Sequence, residues 1–238
     1  MFIIPIMTFN RFLCYCALLT AVAYSTLTFY PNALFGNIHK AANISLHSRV
    51  PLPEASQAII ARVRERIAAC DFFDPEQKFD IYFTGDSPLY ALLAPFCRKS
   101  FSCLHPVSDK IFIASPDFEN NLAHSPGGAE APRILESVIM HELIKAQVKH
   151  RVGGPNYLFL SEMKKEGYAE HITMETAELQ PTEICTENIK FATVRHYLEQ
   201  RLVLEMVQRE TDTAYTSLIR NNQGDDSAVK RLRQTHCK

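Results

Sequence analysis

The sequence predicts a single α+β domain behind an N-terminal apolar segment. Strand-like segments are confined to the first half of the 238-residue chain, whereas the second half is mostly helical in pattern. No later change of composition divides the domain. The net charge of −1 and the absence of basic runs argue against binding to nucleic acid.

The N-terminal segment is uncharged from Phe12 to Tyr30, which is close to the roughly 20 residues needed to span a membrane. Arg11 precedes it and the next charge is Lys40, so the positive-inside rule sends the remaining chain out of the cytoplasm. Two interpretations stay open. An uncleaved anchor is favoured because the apolar run reaches Tyr30, and a signal peptide cleaved near Ala23 is the alternative. Either one predicts an extracytoplasmic domain, which is secreted if cleavage occurs.

The chain is therefore predicted to contain four segments. Residues 31–53 carry scattered Gly, Pro, Asn and Ser without a period, which is typical of a linker. The polar tail is expected to fray. The predicted segments are 1–30 (membrane anchor or signal peptide), 31–53 (linker), 54–222 (folded domain) and 223–238 (tail).

Within the domain, hydrophobic periodicity predicts each element in turn. Apolar residues at helical spacing predict a helix over 54–70, and alternation over 78–84 predicts a half-buried strand. A short apolar run predicts a second strand over 110–114, before a loop over 117–132. Further helices are predicted over 87–96, 133–151, 160–175, 189–210 and 213–221. The helix over 133–151 is expected to end at Gly153-Gly154-Pro155.

Cys97 and Cys103 are separated by only five residues. In an oxidising compartment such a pair can close a small disulfide loop. Two separate free thiols are the alternative, and the spacing alone does not choose between them.

The segment with most chemical content is VIMHELIK, residues 138–145, within the predicted helix over 133–151. In zinc hydrolases with the pattern His-Glu-x-x-His, the two histidines lie on one helix face and bind one ion. The glutamate between them activates the metal-bound water. In this chain His141 and Glu142 match the pattern, and Glu166 and Glu170 follow in the segment EGYAE.

Together, VIMHELIK and EGYAE resemble the paired active-site helices of the gluzincin branch of the zincin metallopeptidases. The resemblance extends over about 110–172 and includes the strand at 110–114, which resembles the one that borders the substrate cleft. It implies a zincin-like fold and a zinc cofactor, with His141 as first ligand, Glu142 as general base and Glu166 as third ligand. It also implies that Glu170 accepts a hydrogen bond from the His141 ring and fixes its orientation.

The chain departs from the family pattern at Lys145, which stands where the second histidine ligand is expected. A protonated amine has no lone pair for a metal ion. His150 lies on the opposite side of the same helix, and His171 points away from the face of Glu166. His141 and Glu166 alone fall short of the three protein ligands of a catalytic zinc site. The sequence therefore predicts an incomplete zinc site.

The same geometry predicts another role for Lys145. If the fold is retained, its ammonium group lies between Glu142 and Glu166 and supplies the charge that a metal ion would otherwise provide.

Three hypotheses follow for function. The first is a membrane-anchored, zincin-like protein that has lost hydrolysis and binds a peptide or protein in its cleft. The second is an active zinc-dependent peptidase with an unusual ligand set. The third is a non-enzymatic structural protein of the cell envelope, in which the helices only pack.

Overall fold

The computed structural model describes residues 9–85, 87–221 and 227–237. Residues 1–8 of the predicted anchor and 222–226 around the start of the predicted tail lie outside the described residues. The fold is α+β, as predicted, with a small sheet and an N-terminal apolar helix.

The main sheet has five strands in the order β1-β2-β3-β5-β4. β2, β3 and β5 are parallel, and β1 and β4 pair antiparallel at the two edges. A second, antiparallel sheet has the order β6-β7-β8. The strands are β1 (Asn37–Ala41), β2 (Ile44–Ser48), β3 (Phe79–Phe83), β4 (Ser102–Leu104), β5 (Lys110–Ile113), β6 (Ser115–Asp117), β7 (Leu122–His124) and β8 (Arg133–Ile134).

The described helices include all those predicted, with shifted ends. A π-helix, Met163–Gly167, precedes the sixth α-helix. The α-helices are α1 (Phe9–Phe29), α2 (Ala55–Ile67), α3 (Ser87–Leu93), α4 (Leu135–Val152), α5 (Gly154–Leu158), α6 (Tyr168–Thr173), α7 (Ala192–Thr211), α8 (Tyr215–Arg220) and α9 (Ala228–His236). Short 3₁₀ helices cover Pro31–Leu34, Pro95–Cys97, Pro126–Gly128, Pro181–Cys185 and Ile189–Phe191.

The main sheet is covered on both faces, because successive side chains of a strand point to opposite sides. Ile81 of β3 joins the larger core cluster, which also contains buried side chains of α2 and α4. Its neighbour Tyr82 joins a smaller cluster with Tyr90 of α3 and Phe112 of β5. α4 thus lies on one face of the sheet as the most deeply buried helix of the domain.

The segment predicted as a linker, 31–53, carries two strands of the main sheet instead. β2 pairs with β3 over five residues, and Leu46 at its centre is fully buried between His39 and Ile81. The sequence pattern did not reveal these strands because their burial depends on pairing with a strand more than thirty residues further along the chain.

The C-terminal segment is also more ordered than predicted. α9 packs on α7 and buries Ala228 and Leu232. A disulfide joins Cys185 to Cys237 and links the end of α9 to the 3₁₀ helix Pro181–Cys185. The segment 227–237 is therefore part of the domain, not a frayed tail.

The N-terminal helix α1 contains one segment, Arg11–Phe29, that is long and apolar enough to cross a membrane, with a mean hydropathy of 1.7. Little of it is buried against the domain. A signal sequence has the same properties.

The two strands in 31–53 make a test of the domain boundary possible. We expect Leu46→Ala to lower the free energy of unfolding of the full chain by about 2–5 kcal/mol, because it leaves a cavity in the core. Ile38→Ala in β1 is the control, since Ile38 is 55% exposed and its truncation should cost under about 1 kcal/mol. Urea unfolding in a mild detergent measures both, and equally small losses would mean that 31–53 is a linker after all.

Candidate functional site

The candidate site lies where α4, the π-helix and α7 meet beneath the edge strand β4. α4 supplies His141, Glu142 and Lys145, which share its inner side at helical spacing. The helix ends at Val152, and the next residue, Gly153, has a φ of 87°, a value that favours glycine. The predicted Gly-Gly-Pro break is therefore present, and the chain turns back through α5 toward the site.

The π-helix presents Glu166 to α4. Such local widenings of a helix are often found at functional sites. The next residue, Gly167, lies against the backbone of α7, where an added Cβ would come within 2.4 Å of the Gln200 carbonyl oxygen. Only glycine permits this close approach. It brings Tyr197, one turn before Gln200, up to the site.

Lys145 makes the contact predicted for it. Its Nζ lies 2.8 Å from Glu166 Oε1 and 3.4 Å from Glu142 Oε1. The Lys145 side chain is 12% exposed, the Glu166 side chain 13% and the Glu142 side chain 1%. One ammonium group thus stands between two carboxylates in a largely water-excluded place.

These charges shift the pKa values of both partners in the direction that keeps the pair ionised. Burial raises the pKa of Glu166, but Lys145 and then His141 outweigh it and hold that pKa well below its usual range. Burial lowers the pKa of Lys145, but Glu142 and Glu166 together raise it well above its usual value. The ion pair is therefore charged throughout the neutral range.

His141 is bonded directly to Glu166, with 2.7 Å between Nε2 and Oε2. The resemblance implies two ligands that share a metal ion. In the structure the same two side chains are hydrogen-bonded to each other. His141 is buried, and its ring stacks on Tyr197 with 4.4 Å between centroids.

Glu170 lies beside the other ring nitrogen, but its oxygen is 3.9 Å from His141 Nδ1. This is too long for a hydrogen bond. The carboxylate is already engaged, because it accepts from the Thr176 amide at 2.7 Å and from the Thr173 hydroxyl at 3.1 Å. Glu170 thus fastens the end of α6 to the loop that follows, and the bond to His141 that the resemblance implies is not made.

Sequence patterns missed three side chains that complete the site. Ser102 of β4 donates to Glu142 Oε1 at 2.8 Å. Tyr197 stacks on His141, and the Arg133 guanidinium lies over the Tyr197 ring at 4.7 Å while pairing with Glu175. No local motif marks these residues, since each reaches the site only through tertiary packing.

The strand that touches the site is β4. The strand predicted to border the cleft, 110–114, corresponds to β5, which lies one position further into the sheet. In the described part of the sheet β4 pairs only with β5, so its other edge is not paired with a strand.

Cys103 in the middle of β4 forms a disulfide with Cys97, which settles the choice between a disulfide and two free thiols.

The two other histidines of the motif region pair elsewhere. His171 Nδ1 lies 3.1 Å from Glu205, and His150 Nε2 lies 3.7 Å from Asp74. Across residues 9–85, 87–221 and 227–237, no group of three or more His, Cys, Asp or Glu side chains is arranged to hold a metal ion.

Comparisons of the chain with protein-family models, with curated proteins and with solved structures find no match.

The ion pair predicts a specific response to removal of the cation. We expect Lys145→Met to lower the free energy of unfolding by about 3–5 kcal/mol at pH 7, because two carboxylates then stay buried without a counter-charge. Lys165→Met is the control: Lys165 pairs with Glu162, whose side chain is 57% exposed, so no carboxylate is left buried and the loss should cost under about 1 kcal/mol. Urea unfolding of the full chain measures both, and similar losses would contradict the role of Lys145.

The pH dependence of this loss follows from the two pKa shifts. The lowered pKa of Glu166 means that its share of the stabilisation is present above its unfolded-state value of about 4.3 and is lost as the pH falls toward the folded-state pKa. The raised pKa of Lys145 means that its share is present below about 10.4 and is lost as the pH rises through the folded-state value. The difference between wild type and Lys145→Met should therefore be largest between these limits and shrink below about pH 4.

Proposed function

We propose that this chain is a membrane-anchored, zincin-like protein that does not hydrolyse peptides and binds a peptide or protein. The observation that carries the proposal is the position of the Lys145 ammonium group between Glu142 and Glu166. The relation to the gluzincins is itself part of the proposal, and it rests on the motif pair and on the meeting of α4 with the helix that carries Glu166.

The donor set does not fit zinc. The i+4 position on α4 carries a cation without a lone pair, and that cation is bonded to the carboxylate proposed as third ligand. His141 Nε2 is hydrogen-bonded to the same carboxylate. A divalent cation placed among these groups would have to displace Lys145 and would meet its charge. We therefore assign no catalytic step to a metal ion in this protein.

The environment of Glu142 also supports the proposed loss of hydrolysis. A general base needs a carboxylate that can take a proton from a reacting group. Oε1 of Glu142 instead accepts from Ser102 and lies beside the Lys145 ammonium group. This environment holds the carboxylate in a structural ion pair.

A peptide or protein is the proposed partner because the resemblance to the gluzincins implies a peptide-binding fold; β4, which borders the site, is itself buried over Ser102–Leu104. If α1 is an anchor, the binding domain stays at the membrane surface. We propose the extracytoplasmic side for it, from the charges that flank α1.

The metal content of the full chain tests this proposal. We expect the unmodified protein, purified without chelator and offered zinc, to bind less than stoichiometric zinc. Lys145→His should bind zinc at least about 10-fold more tightly, because it completes a site of three protein ligands. Lys145→Met is the matched control, since it removes the charge without adding a donor.

Each outcome of the metal measurement decides between the hypotheses. Stoichiometric zinc in the unmodified protein, with peptide hydrolysis that a chelator abolishes, would identify an active peptidase and overturn the proposal. Failure of Lys145→His to gain zinc over Lys145→Met would contradict the zincin assignment.

A further inference from the structure

The loop between β4 and β5, residues 105–109, lies directly at the end of the apolar helix α1. The ring of His105 packs against the ring of Phe29, the last residue of α1, with 6.4 Å between centroids and an edge-to-face orientation. Thr28 is also buried at this end of the helix. The 105–109 loop therefore meets the chain where the apolar segment stops.

Apolar side chains at this place remain exposed. Val107 at the tip of the loop is 67% exposed, and Tyr30, next after α1, is 73% exposed. Phe29 is 42% exposed although it contacts His105. Aromatic rings at the end of a membrane-spanning helix typically lie at the level of the lipid headgroups. Val107 follows two residues after His105, the residue that contacts Phe29.

The loop is held in a fixed conformation. His105 Nδ1 accepts from the backbone amides of Val107 and Ser108, at 3.3 and 3.0 Å. The buried Lys149 contacts both ends of the loop. Its Nζ donates to the His105 carbonyl oxygen at 3.0 Å and forms an ion pair with Asp109 at 3.0 Å. Val107 is thus presented outward by a closed set of bonds.

Lys149 lies on α4, one helical turn after Lys145. The helix that carries the candidate site is therefore bonded directly to the loop at the end of α1. Whatever position this loop takes relative to a lipid surface also sets the position of α4.

We propose that the 105–109 loop is a second membrane contact, in which Val107 enters the interfacial region of the bilayer beside the end of α1. One valine adds little binding strength to a transmembrane helix, so the contact acts on orientation: through Lys149 it holds α4 and the candidate site at a fixed angle to the membrane. The inference rests on the proposed anchoring by α1.

Tryptophan fluorescence tests the proposal, because the chain contains no tryptophan. Single-tryptophan variants of the full chain are reconstituted into vesicles of ordinary or brominated phosphatidylcholine, since bromine quenches only nearby rings. Val107→Trp probes the loop and Leu18→Trp probes the middle of α1. Val50→Trp is the matched control: Val50 is 68% exposed and follows β2 at the opposite end of the parallel strands from the 105–109 loop.

We expect brominated lipid to remove about half of the fluorescence of Val107→Trp, as for a ring at headgroup level, to quench Leu18→Trp more strongly and to leave Val50→Trp unchanged. Quenching of Leu18→Trp alone would overturn the loop contact and leave the anchor in place. No quenching of Leu18→Trp would overturn the proposed anchoring and, with it, this inference. Equal quenching of Val107→Trp and Val50→Trp would show unspecific adsorption and contradict the proposal.

Discussion

Buried carboxylates need a counter-charge, and the arrangement around α4 is built on that requirement. Glu142, Glu166 and Glu170 all lie in or beside the core. Moving a carboxylate out of water is costly unless charge or hydrogen bonds compensate for it. Lys145 compensates Glu142 and Glu166, while backbone and hydroxyl donors satisfy Glu170. The helices can pack closely here because each of these charges has a partner within the chain.

The architecture around the site follows from this constraint and from one close approach. Gly167 lets the π-helix touch the backbone of α7, and that contact brings the ring of Tyr197 over His141. β4 closes another side through Ser102, and the disulfide between Cys97 and Cys103 fixes the chain that enters this strand. The site is thus shielded from water by three separate parts of the sequence.

The parts that could be predicted from sequence are those with local causes. The extent of α4 follows from its apolar periodicity and from the glycine that stops it, and the meeting of Lys145 with Glu142 follows from helix geometry alone. The contact with Glu166 required more, namely the resemblance of the two motifs to a known pair of helices.

What could not be predicted depends on distant partners. The turn between β1 and β2 runs through Ala42 at a φ of 54°, without the Asn-Gly or Asp-Gly pair that signals a hairpin. The two strands therefore read as a linker. Ser102 and Tyr197 are far from the motif in sequence and reach the site only through tertiary packing. Glu170 accepts a hydrogen bond from the Thr176 amide, in a loop that has no sequence signature.

The central claim is that Lys145 is the built-in cation of this site, and a double-mutant cycle measures it most directly. The cycle compares the unfolding free energies of wild type, Lys145→Met, Glu166→Gln and the double variant at pH 7. We expect the double variant to be more stable than the two separate losses predict, by about 2 kcal/mol, since it leaves only Glu142 without a counter-charge, whereas Lys145→Met leaves both carboxylates unpaired. Losses that add to within about 0.5 kcal/mol would mean that the two side chains are energetically independent and would contradict the account.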